Sequence, residues 1–258
     1  MKIPPKKSLG QHFLRSKKAI KDIIHASNIK KGDVVLEVGP GEGVLTEALL
    51  VAGGHVIAVE KDARAITLLE EKFKKEEGRL RIIEGDILEM DLEELGLEAG
   101  KYQVIANIPY YITGILILKL LESPVRPSAM TLLVQKEVAD RIVARDEKES
   151  LLSLGVKAYG EPFIVSRVKA GSFVPAPKVD SAIIRIEDIG PHKAGEYEDQ
   201  FWTITKAAFN GKRKTLSHTI GHVFENPEKV FEECGIDPKE RPENVSLNKW
   251  ILLARHVT

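Results

Sequence analysis

From residue 33 to about residue 135 the chain alternates short apolar runs, rich in β-branched residues, with stretches of helical periodicity. The runs 34–38, 55–60, 79–83, 102–106 and 130–135 predict strands, and 44–52, 62–77, 114–122 and 136–145 predict helices. The punctuation agrees: Gly53-Gly54 stops the first of these helices, and Asp62 and Gly78 bracket the second. Strand and helix at this spacing predict an α/β fold with a parallel, doubly wound sheet. Two later runs, 163–169 and 182–187, flank Phe173-Val174-Pro175-Ala176-Pro177 and predict a hairpin that closes the sheet. After Gly190-Pro191 only helical patterns remain, at 197–209, 212–224, 227–234 and 246–256. The expected division is a catalytic domain over 1–190 and a small helical domain over 191–258.

Composition changes this picture little. The apolar share of the 258 residues is ordinary, and no apolar run approaches the roughly 18 to 20 residues that span a bilayer. Residues 1–10 are basic but hold no apolar core or small-residue cleavage site, so no secretory signal and no membrane association are expected. Cys234 is the single cysteine, which excludes an internal disulfide and a multi-cysteine zinc site. A cytoplasmic protein is expected. The formal net charge is zero, yet its distribution is uneven. Residues 1–31 carry nine Lys or Arg against Asp22 alone, and Lys212-Arg213-Lys214 forms a second basic knot. Such asymmetry suits a surface that faces a polyanion, although a charge run is equally often a solvated face.

Candidate chemistry sits where the predicted strands end. The turn Gly39-Pro40-Gly41-Glu42-Gly43 leads straight into a helix, and its glycines let backbone approach a ligand. The glycine spacing departs from the dinucleotide fingerprint, and Pro40 removes a backbone donor that a pyrophosphate would use. Glu60 ends the second strand, where a carboxylate can accept from both ribose hydroxyls of an adenosine-type cofactor. Asp86, after the third strand and followed by Ile87, can accept from an adenine amine. Each acid alone is more often a cap or surface residue. Together they outline an adenosine site that needs no phosphate, a description that S-adenosylmethionine fits.

Asn107-Ile108-Pro109-Tyr110 follows the fourth strand at the same sheet edge. Asn and Pro are ordinary turn residues, but the four also meet the needs of adenine N6 methylation. The N6 lone pair is delocalised into the purine and must be freed before it can attack a methyl group. The Asn107 side-chain oxygen and the Ile108 carbonyl can each accept one N6 hydrogen. Pro109 stiffens the backbone, and Tyr110 offers a face on which an extruded base can stack. Proximity and polarisation then suffice, without a metal or strong base.

The tetrapeptide resembles the [N/D]-[P/I/L]-P-[Y/F] motif of amino-directed nucleic-acid methyltransferases. Further segments resemble one family, the small-subunit ribosomal-RNA adenine dimethyltransferases (KsgA type). They are Gly10-Gln11-His12-Phe13-Leu14, residues 36–43, residues 133–141 and residues 172–181. The resemblance runs in order from residue 6 to about 187 and resumes at Lys212-Arg213-Lys214-Thr215-Leu216. It implies a Rossmann-like class I methyltransferase sheet, an all-helical C-terminal domain that docks on the ribosome, and S-adenosylmethionine as cofactor. It implies a cofactor set of His12, Leu14, Gly39, Gly41, Glu60, Asp86, Ile87 and Asn107. It also implies that Phe173, opposite Tyr110, sandwiches the target base, and that Lys212, Arg213 and Lys214 meet RNA. The expected reaction is N6,N6-dimethylation of two adjacent adenosines near the 3′ end of small-subunit RNA, by a monomer acting on a pre-ribosomal subunit. Two departures, Tyr111 in place of a frequent Asn and the segment 149–153, bear on substrate positioning.

Rival readings are a macrolide-resistance methyltransferase acting on large-subunit RNA and an assembly factor that only binds; a nicotinamide oxidoreductase is a distant third. His218 and His222 lie four apart with no third ligand nearby, so a structural or RNA-facing role outweighs metal binding. Cys234 has no activating neighbour in sequence and suits a small core position.

Overall fold

The computed structural model describes residues 3–6, 9–145, 147–211 and 214–257. Two compact units emerge, one formed by 1–139 with 161–190 and the other by 140–160 with 191–258. The expected boundary near residue 190 is therefore joined by an excursion, 140–160, that the sequence reading had left in the first domain.

In the first unit the elements run β1 (Phe13–Leu14), α1 (Lys17–Ser27), β2 (Val34–Val38), α2 (Val44–Val51), β3 (His55–Glu60), α3 (Ala63–Lys72) and β4 (Leu80–Glu84). They continue as β5 (Tyr102–Asn107), α4 (Thr113–Glu122), β6 (Ala129–Gln135) and α5 (Lys136–Ile142), whose end passes into the second unit. The hairpin strands β7 (Glu161–Val168) and β9 (Ser181–Glu187) enclose the two-residue β8 (Phe173–Val174). The seven-stranded sheet has the order β4-β3-β2-β5-β6-β9-β7. Its first five strands are parallel, and β9 and β7 add antiparallel at the far edge, as the hairpin expectation required. Val35, Leu36, Val104, Ile105, Leu132 and Leu133 are fully buried. Such continuous apolar runs are what strands covered on both faces demand.

The order reverses between β2 and β5, and ligands of open α/β sheets collect at the carboxyl ends of strands at such a switch point. The glycine turn, Glu60, Asp86 and Asn107 all follow or end strands on that edge.

Helix α1 lies outside the sequence expectation. Ser16 caps it by accepting from the Ala19 N–H at 3.2 Å, and Asn28 closes it in the left-handed region at φ 50°. Ala19 and Ile23 are buried four residues apart, the spacing of an apolar face.

The second unit contains α6 (Leu151–Tyr159), α7 (Glu198–Phe209), α8 (Leu216–Ile220), α9 (Pro227–Glu233) and α10 (Leu247–Ala254). Ser150 and Ser153 form a reciprocal capping box at the start of α6. The excursion joins this unit through the Lys193 N–H donating to the Ala158 carbonyl at 2.8 Å, the Glu149 N–H donating to the Glu243 carbonyl at 2.7 Å, and Tyr159 donating to Glu198. Its core centres on Trp250, Phe201, Tyr159 and Phe231. Cys234 is buried, and burial pushes its thiol upward, as suits a core position. The expected helix 212–224 is shorter, spanning 216–220 before a 3-10 turn at Gly221–Val223. His218 accepts from or donates to the Thr215 hydroxyl at 2.9 Å. Lys212 and Arg213 lie outside the described residues; Lys214 is exposed.

Candidate active site

A cleft with about 1060 Å³ of empty space, part of it open to solvent, lies at the carboxyl edge of the sheet. His12, Leu14, Gly39, Gly41, Glu60, Asp86, Ile87 and all of Asn107 to Tyr110 line it, so these expected site residues converge.

The glycine turn shapes the floor. Gly41 has φ +55°, and a Cβ there would sit 3.0 Å from the Phe13 ring. Gly43 caps α2 at φ +71°, and a Cβ there would come within 2.6 Å of Leu69 and 2.7 Å of Phe73. Left-handed backbone and close packing together require glycine at both places.

Glu60 is buried and accepts from three backbone N–H groups: Gly41 at 3.0 Å, and Lys61 and Asp62 each at 2.9 Å. An ionised carboxylate has roughly four acceptor sites, so it retains capacity for a further donor. Asp86 accepts from the Leu88 N–H at 3.0 Å and from Lys61 Nζ at 2.7 Å. Lys61 holds the Asp86 carboxyl below its usual range. Lys61 thus ties the ends of β3 and β4 together, a link the sequence reading missed.

Glu37 was also missed. It lies one residue before the end of β2, is 1% exposed, lines the cleft, and its Oε2 has no partner among the described residues. Burial pushes its carboxyl up to about 8, and the nearby Glu60 acts in the same direction. Between its ordinary value and about 8 the folded chain keeps this proton while the unfolded chain releases it. The folded state then binds more protons, so the group's contribution to stability falls as pH rises, by at most roughly 1.4 kcal/mol per pH unit. Urea unfolding of the cofactor-free protein at pH 5 and pH 8 should show Glu37→Gln matching the wild type at the lower pH and exceeding it at the higher. An equal difference at both values would contradict the assignment.

The expected reaction centre, Asn107 to Tyr110, is held by the N-terminal segment. Strand β1 pairs antiparallel with β8, placing Phe13 opposite Val174 and Leu14 opposite Phe173. Gln11 Nε2 donates to Asp62 at 3.0 Å, and Arg15 reaches Glu42 at 2.5 Å. This anchoring sets His12 over the tetrapeptide. The Asn107 Nδ2 donates to the His12 carbonyl at 3.2 Å. Only the amide nitrogen can donate there, so Oδ1 is the atom left to accept, and no described residue donates to it. Ile108 is buried, and its carbonyl follows the last laddered residue of β5, Asn107. The Tyr110 hydroxyl shares a hydrogen bond with Ser181 at 2.7 Å, and burial raises its ionisation range, keeping it neutral.

The aromatic sandwich expected from Phe173 is not what the structure forms. Phe173 is 2% exposed and packs in the sheet core with Leu14, Ile105, Leu133 and Ile183. It does not line the cleft. Pairing with Leu14 directs it inward, because side chains alternate along a strand and Val174, its neighbour, points out at 54% exposure. The ring stacked on Tyr110 is His12, with centroids 5.6 Å apart and planes 23° from parallel. His12 Nδ1 lies 2.8 Å from the Pro175 carbonyl, which only accepts, so that nitrogen carries the proton.

Residues 4–258 match the family model described as ribosomal RNA adenine dimethylase. A ribosomal RNA small subunit methyltransferase A of Dehalococcoides mccartyi is 41% identical over 95% of this chain and 86% of its own length. The protein of that name from Caulobacter vibrioides is 37% identical, over 97% and 96%. Among solved structures, a dimethyladenosine transferase from Plasmodium falciparum aligns with TM-score 0.80 and 28% identity over 94% of this chain and 96% of its own. The 23S rRNA methyltransferase ErmE aligns with TM-score 0.76 and 25% identity, over 95% and 99%.

Proposed function

The chain belongs to the ribosomal RNA adenine dimethylase family, and from that premise we propose how its cleft dimethylates N6 of two adjacent adenosines in small-subunit RNA. The observation that carries the proposal is the Asn107 amide, fixed through its nitrogen on the His12 carbonyl so that its oxygen is left to accept.

The cleft suits S-adenosylmethionine. Glu60 would take ribose hydroxyls, and Asp86 with Ile87 would hold the adenine edge. Glu37 lines the cleft where it could meet an N–H-donating group, and the left-handed turn at Gly39 brings backbone to the cleft wall. His12 and Leu14 would close the cleft from the N-terminal side. When bound, this cofactor supplies a methyl group made electrophilic by a sulfonium.

The protein's own part is positional and electrostatic. Tyr110 stacks the extruded adenine while Asn107 Oδ1 and the Ile108 carbonyl accept its two N6 hydrogens, drawing the lone pair out of the ring. Each transfer would form one N6–carbon bond at the expense of the methyl–sulfur bond, whose electron pair stays on sulfur, and would release one N6 proton to solvent. The monomethyl base has a single N6 hydrogen and engages one acceptor; the dimethyl product has none. Both acceptors are then left unsatisfied, and because an unmade buried hydrogen bond costs more than a made one contributes, the product leaves.

The substrate setting is a small subunit during maturation, bound by a single copy of this chain. Lys212, Arg213 and Lys214 contact phosphate. Lys212→Ala with Arg213→Ala should weaken subunit binding and reduce its dependence on salt, by a slope change of roughly two; an unchanged slope removes these residues from the RNA contact. Incubating mixed, unmodified large and small subunits with labelled cofactor tests the substrate. Label in small-subunit RNA is expected. Label confined to large-subunit RNA would move the protein to the resistance class.

A further inference from the structure

The geometry points to a second base-binding surface at the edge of the cleft, in which Tyr111 stacks the nucleotide adjoining the target adenosine; this rests on the adenosine-methylating reading above. Tyr111 is 62% exposed, whereas most of the other apolar residues that line the cleft are buried; Ile115, outside the cleft, is 65% exposed. Tyr111 sits in the 3-10 turn Tyr110–Ile112, which runs directly into α4, where Ile115 follows four residues on. Tyr111 also lines the cleft, immediately after the residue that stacks the target. Its ring is seated on bare backbone: a Cβ added at Gly10 would lie 3.2 Å from the Tyr111 Cδ1. One edge of the ring thus faces Gly10 while most of the residue remains open to solvent.

Chemistry supplies the occupant. Extruding a base onto Tyr110 breaks its stack with the next base in the strand and leaves that neighbour's π-face uncovered. A tyrosine ring one residue beyond Tyr110 replaces the lost partner, and base stacking on an aromatic tolerates any base. Because the neighbour is itself a target, the same surface suits an adenosine before and after modification.

The test compares Tyr111→Phe, Tyr111→Leu and Tyr111→Ala with the wild type. Small-subunit RNA carrying 2-aminopurine at the nucleotide beside the target, reconstituted into subunits, reports stacking directly through quenching of its fluorescence. The wild type and Tyr111→Phe should quench it, and the Leu and Ala variants should not. Subunit affinity and KM should worsen roughly 5- to 100-fold for Leu and Ala, with kcat at saturation and cofactor affinity nearly constant. The Leu variant preserves apolar contact with Gly10, which separates loss of a stacking face from loosening of the N-terminal segment. Equal quenching and affinity across all four proteins, or no quenching by the wild type, overturns the inference. If the wild type quenches but adds no methyl group to small-subunit RNA, the catalytic reading fails and the surface stands.

Discussion

Asn107→Ala is expected to lower kcat for adenosine methylation by roughly 100- to 1000-fold, the usual scale for removing one preorganised polar group at a reacting centre. In the proposed mechanism the oxygen it removes accepts an N6 hydrogen, and the neighbouring Ile108 carbonyl cannot draw both hydrogens alone. Cofactor affinity should change far less, because Asn107 is one of many groups lining the cleft. Asn107→Asp separates the two functions of the amide. The carboxylate keeps an acceptor but cannot donate to the His12 carbonyl, which now lies 3.2 Å from the amide nitrogen. Two oxygens facing one another repel, so the aspartate should turn and activity should fall between wild type and alanine. Single-turnover kinetics on unmodified small subunits measures this order. An alanine variant with wild-type kcat would show that N6 is not polarised here.

Tyr110→Ala should have the next largest effect, roughly 10- to 100-fold in kcat/KM, since stacking on an aromatic is worth about 1 to 3 kcal/mol per base. That sum offsets the cost of extruding the base from its strand, and without it the target adenine has no rigid seat. The loss also removes the stack on His12, at 5.6 Å between centroids, and with it part of what steadies the N-terminal segment. Tyr110→Phe keeps both stacking faces and gives up only the hydroxyl bond to Ser181 at 2.7 Å. It should cost a few-fold, in line with about 0.5 to 1.5 kcal/mol for one hydrogen bond. A phenylalanine variant as impaired as alanine would shift the role of Tyr110 from stacking to hydrogen bonding.

Most of the sheet was legible in the sequence because each parallel strand is an apolar run followed by a turn. The chemistry sits in those turns, so Gly39, Glu60, Asp86 and Asn107 could be placed at one edge before any coordinates. Helix α6 was missed for a physical reason: Ser153, Leu154, Gly155, Val156, Ala158 and Tyr159 are all buried, which erases the one-sided pattern that marks a surface helix. Helix α1 was legible, through Ser16 and the spacing of Ala19 and Ile23, but its lysines drew the reading toward charge. Phe173 was misplaced, and the ring stack of His12 on Tyr110 not foreseen, because both depend on the β1–β8 pairing, between segments far apart in the chain. No local pattern fixes such a register. Glu37 reads as an ordinary strand residue until its burial and its unpaired oxygen are seen.

The tetrapeptide emerges as part of a two-segment device, in which the His12 backbone orients Asn107 and the His12 ring backs Tyr110. Mass spectrometry of the 3′-terminal fragment of small-subunit RNA, taken from unmodified subunits incubated with cofactor and either wild-type or Asn107→Ala protein, tests this most directly. The wild type should yield two adjacent N6,N6-dimethyladenosines, and the variant should leave both largely unmodified over the same interval. Methylation at any other atom or position, or equal modification by the two proteins, would contradict it.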